Sequence, residues 1–425
     1  MKKRLKIAII GSGISGLGCS WLLSKRFDVD LYEKSDYIGG HSNTQTIKTR
    51  FDNRLVKVDT GFIVFNELNY PNLHSLFKLL DVKTIESNMS FSVSLDEQNF
   101  EYGGENLFKI FAQKRNILNF SFWKMLFEIV IFNKNALSEK QNYKSKTIEQ
   151  YLEIKGYSEM FQYKYLYPMA SSIWSSPLSK IKEYPFLNFI EFFNNHGLLK
   201  ITNRPKWKTV LNGSQSYIKK ILKDSSMKIF LQKKVNKVKR FKNYVQIETN
   251  RTRRVYDHVV FACHSDQILQ ILDNVTNEEE MYLSNITYKK NIVYLHSDNS
   301  FMPKNKMIWS SWNYIEMLKP NDQKSLTVTY WMNKLQKIDT TENIFVTLNP
   351  AKIPDKQMIY KRIFYEHPVF TKKSIESSAG LEKIQGKNNT WFCGAYLGNG
   401  FHESGFVSGL NVAENLSGVL RPWKK

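Results

Sequence analysis

Cysteine is scarce in this 425-residue chain, with Cys19, Cys263 and Cys393 each inside an apolar run and none in a CxxC pair. That leaves no disulfide framework and no metal-ligand spacing, so buried inert thiols and no bound metal are expected. No uninterrupted apolar stretch approaches the ~20 residues needed to cross a bilayer. Acidic side chains are also in short supply: 39 against 61 lysines and arginines, a formal net charge of +22. Such an excess favours anionic partners, whether a phospholipid surface, nucleic acid or an acidic substrate. Zinc-finger spacing and RNP-like aromatic motifs are absent, so specific nucleic-acid recognition is not expected. What the chain does have is 42% hydrophobic and 14% aromatic residues, enough for a large folded core. Met1-Lys2-Lys3-Arg4 looks like a short positive n-region, but no cleavage-like site follows it. The expectation is a cytosolic protein, or one held on the inner face of the cell membrane.

The informative stretch is the first forty residues. Leu5 to Ile10 is almost uniformly apolar and reads as a buried parallel strand. Gly11-Ser12-Gly13-Ile14-Ser15-Gly16 follows, then an apolar run with helical spacing, then a second strand, Val29 to Glu33. This is the dinucleotide fingerprint in its required strand–turn–helix–strand context. Gly11 permits the tight turn, Gly13 lets the backbone approach a pyrophosphate, and Gly16 allows close helix–strand packing. The carboxylate of Glu33 accepts hydrogen bonds from a ribose 2′-hydroxyl and disfavours a 2′-phosphate. A single fingerprint is present, so no separate NADPH site is expected.

Glu33 leads into Lys34 and the pair Gly39-Gly40, with His41 next, and the far end carries Trp391-Phe392-Cys393-Gly394-Ala395 and Gly398-Asn399-Gly400. With these motifs the sequence resembles the flavin-containing amine oxidoreductase superfamily, which includes amine oxidases and phytoene-type desaturases. The phrases Val58 to Asn66 and Gly398 to Gly405 resemble one bacterial branch of NAD/FAD-binding proteins that often accompany cyclopropane-fatty-acid-synthase-like methyltransferases. The resemblance implies non-covalent FAD held by Gly11, Gly13, Ile14, Ser15, Gly16, Glu33, Lys34, Gly39, Gly40 and His41, with Gly61, Val235, Gly394, Gly400, Phe401 and His402 further along. His41 replaces the arginine that many relatives place near the pyrophosphate, and Ala395 replaces an acidic residue. Val235 matches the position that meets the adenine through its backbone. His402, beside the expected isoalloxazine, is either a proton-exchanging group or a helix-cap and packing residue. Lys290 or Lys289 matches the lysine that amine oxidases place near the flavin, or else faces solvent.

The resemblance also implies the architecture: an α/β Rossmann-like FAD domain of the amine-oxidase/phytoene-desaturase type with an α+β substrate domain inserted in two pieces. The FAD domain is assigned to 1–66, 205–275 and 385–425, and the substrate domain to 67–204 and 276–384. Strands are expected near 88–95, 100–102, 292–296, 307–312 and 326–331, and one strand over 256–263. Tyr163 to Pro177, rich in aromatics and small residues, suits either a narrow apolar channel or a packed turn, and His196-Gly197 reads as a helix end. Residues 105–135 interleave large apolar side chains with Lys109, Lys114, Arg115, Lys124 and Lys134, which suits helices lying in a membrane interface or an ordinary lid. The function implied is hydride transfer between flavin and a hydrophobic substrate, such as an unsaturated or methylated fatty-acyl chain of a phospholipid. A flavin amine oxidase and a non-catalytic flavoprotein partner of a lipid methyltransferase are the alternatives.

Overall fold

The apolar run near the start of the chain forms the strand Lys6–Ile10, with Ile7 to Ile10 buried. It pairs in parallel on both edges, with Asp28–Tyr32 on one side and His258–Phe261 on the other. A strand covered on both faces needs no polar alternation, hence its continuous hydrophobicity. Lys228–Phe230 and Thr390–Phe392 extend the sheet to five parallel strands. In this computed structural model, which describes residues 4–174, 178–195, 197–200, 205–318 and 324–424, one sheet thus draws on three distant chain segments.

The helix Ile14–Leu23 leaves the first strand and is covered by the closing helix His402–Ser417. Their approach depends on missing side chains. A Cβ on Gly409 would lie 2.0 Å from the Ser15 carbonyl oxygen, and one on Gly405 would lie 3.1 Å from Ile14 Cγ2. Both helix N-termini are thereby brought to one end of the sheet.

A second sheet of seven strands runs in the order Ile359–Pro368, Tyr288–His296, Phe345–Leu348, Lys324–Trp331, Trp312–Leu318, Phe91–Leu95, Phe100–Gly103. Its pairings are antiparallel apart from Trp312–Leu318 against Phe91–Leu95. Its apolar face shares a core with the helices Phe120–Glu139, Ile148–Lys155, Tyr167–Trp174 and Phe186–Asn195, through residues such as Val93, Phe122, Tyr151, Phe189 and Tyr314.

Three elements differ from the sequence expectation. The strand expected over 256–263 is two. Arg253–Tyr256 joins a small antiparallel sheet, and His258–Phe261 joins the parallel one. Asp257 between them fixes the break, because its carboxylate accepts the Lys6 N–H at 2.7 Å while its own N–H donates to the Lys6 carbonyl. The strand expected from Met307 starts only at Trp312, since the Asn313 side chain holds Ser310 in a turn, accepting from its N–H at 2.9 Å and donating to its carbonyl at 2.6 Å. The edge strand Ile359–Pro368 was not anticipated at all. Ser175, Ser176, Pro177, His196 and Arg204 lie outside the described residues.

The helix–helix contact makes a clear prediction. Gly409→Ala should destabilise the protein by about 1–3 kcal/mol, because an added methyl has only backbone to displace. Urea unfolding checks it, and a Gly409→Ala variant as stable as the parent would contradict the contact.

Candidate active site

The fingerprint turn opens onto a cavity of about 1800 Å³ that reaches from the parallel sheet into the second domain. Apart from Lys289, the alternative to Lys290, every site residue read from the sequence lines it except Gly16 and Gly39. Those two serve the turn itself. A Cβ on Gly16 would sit 2.0 Å from the Gly11 carbonyl oxygen, and the Gly39 N–H donates to the Ser12 carbonyl at 3.1 Å. Gly11 has φ +108°, and a Cβ there would collide with the Ala262 carbonyl oxygen at 2.6 Å. Gly13 is different: a Cβ built on it meets nothing within 4 Å. The space in front of Gly13, at the N-terminus of the Ile14–Leu23 helix, is thus a cradle with free N–H groups suited to a phosphate. Glu33 stands beside it, accepting from the Ser12 N–H (3.0 Å) and hydroxyl (2.6 Å) and from the Ser35 N–H (2.8 Å). Val235 closes the same end, together with Lys34, Lys233 and Lys234.

The middle of the cavity gathers His41, His264, His367 and His402. His41 stacks on Tyr365 with ring centroids 4.6 Å apart. Burial first, and His367 next, push its pKa well below the usual imidazole range. Its Nε2 is buried and has no protein partner among the described residues, as is the hydroxyl of Tyr396. Two orphaned polar atoms in one cavity wall fit a bound ligand that supplies their partners. With the cradle at Gly13, they fit a dinucleotide lying along this wall.

His402 opens the closing helix. Its Nε2 lies 2.6 Å from the Tyr217 hydroxyl and 3.3 Å from that of Ser42, and its ring stacks on Phe62 at 3.9 Å. Burial pushes its pKa down to about 3. Tyr217 and Ser42, which hydrogen-bond each other, therefore hold a neutral ring in place. Lys290 is an exposed residue on the cavity edge, paired in register with Glu366. Lys289 does not line the cavity, and burial lowers its pKa.

His367 was not singled out from the sequence, yet its proton can be placed. The Ile292 N–H donates to Asn349 Oδ1 at 3.0 Å, so the Asn349 amide nitrogen is the group facing Asn291 Oδ1 at 2.7 Å. The Asn291 amide nitrogen in turn faces His367 Nδ1 at 3.0 Å. An amide nitrogen only donates, so Nδ1 accepts and the proton of the neutral ring sits on Nε2. Burial holds this ring's pKa down at about 4. The sequence signal was the Ile-, Tyr- and Phe-rich run from Ile359 to Tyr365, bounded by Pro354 and Pro368.

Asp59 has a structural role. Its carboxylate accepts from the Ser214 N–H (2.9 Å) and hydroxyl (2.8 Å), the Thr44 hydroxyl (2.5 Å) and the Gln336 amide (2.7 Å). It caps the turn into the helix Gln215–Lys223 and lies outside the cavity wall. Beyond the histidines the cavity becomes apolar, with Met89, Phe91, Leu126, Ile129, Met169, Ile173 and Trp174 in its wall. Tyr165, Met169 and Ile173, spaced four apart, come from the segment read as a channel or a packed turn.

Comparison with known proteins agrees with this geometry. Residues 9–80 match the family model described as an NAD(P)-binding Rossmann-like domain. No curated protein matches the chain by sequence. Among solved structures, the chain is similar to a CLA-producing fatty acid isomerase from P. acnes, at 15% identity over 98% of this chain and 100% of that one, with TM-score 0.65. Putrescine oxidase bound to putrescine is similar at 14% identity over 97% and 99%, with TM-score 0.64. Cyclohexylamine oxidase from Brevibacterium oxydans is similar at 13% identity over 97% and 100%, with TM-score 0.65. The fold is Rossmann-like and is shared with these solved structures. At these identities the likeness speaks for the fold alone.

The buried imidazoles make stability pH-dependent. His367 and His402 have folded-state values of about 4 and about 3, below the ordinary ~6.5, so the unfolded chain binds more protons. Their contribution is complete above about pH 6.5 and is lost as pH falls toward those values. The melting temperature should therefore drop between pH 6.5 and 4, and drop less steeply in His367→Gln. Parallel curves for the two proteins would contradict the placement.

Proposed function

We propose that the protein is an FAD-dependent oxidoreductase acting on the hydrocarbon part of a long apolar substrate, of the fatty-acyl class. One observation carries this reading: a single cavity runs from the Gly13 cradle, past the neutral imidazoles, into an arm walled by apolar side chains. Its volume of about 1800 Å³ exceeds the roughly 300–1,000 Å³ of an ordinary ligand pocket, leaving room for a cofactor and a substrate together. When bound, the flavin supplies hydride acceptance or donation at N5. The chain's own residues orient and exclude. Gly13 and the following helix N-terminus face the pyrophosphate, and Glu33 takes the ribose hydroxyls. His41 and Tyr396 offer their unpaired polar atoms, and the apolar arm keeps water from the substrate. The His367 Nε2–H is a donor without charge, suited to a neutral substrate. A fatty acid isomerase sharing the fold supports an acyl chain as a ligand this scaffold accepts.

An amine substrate is the second reading, since putrescine oxidase and cyclohexylamine oxidase share the fold. Of the four carboxylates in the cavity wall, Glu33 is taken by Ser12 and Ser35 and Glu105 by Lys109 and Lys334, leaving Glu86 and, 3.4 Å from His264, Glu366. That leaves less to hold an ammonium group and favours the acyl reading.

Two measurements test the proposal. Purified protein should release free FAD on denaturation, and Gly13→Val should lower flavin content about tenfold or more while leaving the melting temperature of the apoprotein unchanged. Retention of full flavin by Gly13→Val would rule out the cradle. Lipid mass spectrometry of host cells with and without the gene should show one acyl species gained or lost. No lipid change, with anaerobic bleaching of the flavin by an amine, would establish the second reading instead.

A further inference from the structure

The helix Phe120–Glu139 has three apolar stripes where a surface helix needs one. Phe122, Met125, Phe132 and Ala136 are buried in the core. Leu126 and Ile129 line the cavity. The third stripe, Phe120, Trp123, Phe127 and Val130, faces outward, with Phe120 82% and Phe127 66% exposed. The turn before the helix adds to it, for Leu118 is 92% and Phe108 85% exposed. These pieces are contiguous: the Trp123 indole N–H donates to the Ile117 carbonyl at 2.8 Å, and its ring lies 5.1 Å from that of Phe111. The polar atom of Trp123 is thus satisfied within the chain, and the ring needs no water.

The exposed charges within residues 106–138 have one sign. Lys114, Arg115, Lys124 and Lys134 are exposed. Glu128, the only acidic residue between 106 and 138, is buried and accepts the Ser158 N–H at 3.0 Å. Lys109 is taken by Glu105 at 2.6 Å and does not add to the exposed set. A second copy of the chain would set cations against cations. An anionic surface with an apolar interior complements both the charge and the aromatics. No helix among the described residues is long and apolar enough to cross a membrane, so contact through this face is peripheral.

Leu107 and Val130 belong to both surfaces: they line the cavity and are 71% and 46% exposed. We infer that the face formed by residues 107–134 docks on an anionic phospholipid bilayer, and that the cavity mouth at Leu107 and Val130 opens directly onto the acyl region. An acyl chain then passes between bilayer and cavity without crossing water. The docking stands on the surface alone, while the passage rests on the substrate reading above.

Flotation of the flavin-loaded protein with vesicles tests the docking. Vesicles of phosphatidylcholine with about 30 mol% phosphatidylglycerol should carry the protein up, and pure phosphatidylcholine should bind at least about tenfold more weakly. Phe120→Asp/Phe127→Asp should lose binding with unchanged flavin content and melting temperature. Lys114→Glu/Arg115→Glu/Lys124→Glu should weaken it about tenfold and abolish its salt dependence. Brominated acyl chains should quench tryptophan fluorescence in the parent and less in Trp123→Phe. Absence of binding to either vesicle, equal binding to both, or binding untouched by the double aspartate variant would overturn the inference. So would a concentration-dependent dimer that the double aspartate variant dissolves in the absence of vesicle binding. Vesicle binding without any flavin response to oleoyl phospholipid upholds the docking and sinks the acyl substrate instead.

Discussion

The close approach of the first and last long helices of the parallel-sheet domain governs the rest of this structure. Ser15 and Gly409 are separated by almost the whole chain, yet no side chain fits between them. Because the two helices touch backbone to backbone, their N-termini converge at one end of the sheet. The first brings Gly13 and the phosphate cradle, and the second brings His402 and the wall of the central cavity. Displacing either helix by the width of a methyl group would separate the two halves of the site. The buried neighbours on this interface, Leu17, Phe406 and Leu410, then add apolar contact to a geometry already set by glycine.

A second constraint joins the two domains. Asp59 and Gln336 exchange two hydrogen bonds, 2.8 and 2.7 Å, between the segment that leads out of the parallel-sheet domain and the second domain. Burial raises the carboxyl's pKa even though four groups donate to it. Such a fully satisfied polar cluster specifies one arrangement of its surroundings, because any shift leaves a buried oxygen unpaired. The apolar arm is thus held in fixed register with the cradle.

Much of the parallel-sheet domain was legible in the sequence because its signals are local. Gly11 to Gly16 sits between an apolar strand and an apolar helix, and each of those features occupies consecutive residues. The Rossmann-like fold and the cavity positions of Gly13 and Glu33 follow from motifs of this kind, whereas those of His41, Val235 and His402 came only as implications of the family resemblance. The histidine cluster was not legible in the same way. His367 gains its tautomer from Asn291 and Asn349, and His402 its support from Ser42 and Tyr217, through pairings that span up to hundreds of residues. The edge strand that carries His367 was missed because its apolar residues are grouped around the exposed pair Lys361-Arg362 instead of alternating. Asp257 and Asn313 broke expected strands through the hydrogen bonds of single side chains, which no periodicity encodes.

The order of strands in the parallel sheet also dictates when the site comes into being. Its edge strand Thr390–Phe392 and the helix that carries His402 leave the ribosome long after the fingerprint strand and helix. At about 5–20 residues per second, the fingerprint strand and helix wait roughly 20–80 s for these partners. Throughout that interval the apolar helix Ile14–Leu23 lacks its cover, and His258–Phe261, once made, has an open edge for the rest of it. The cavity that draws on both segments is therefore complete only once the helix His402–Ser417 has emerged and packed.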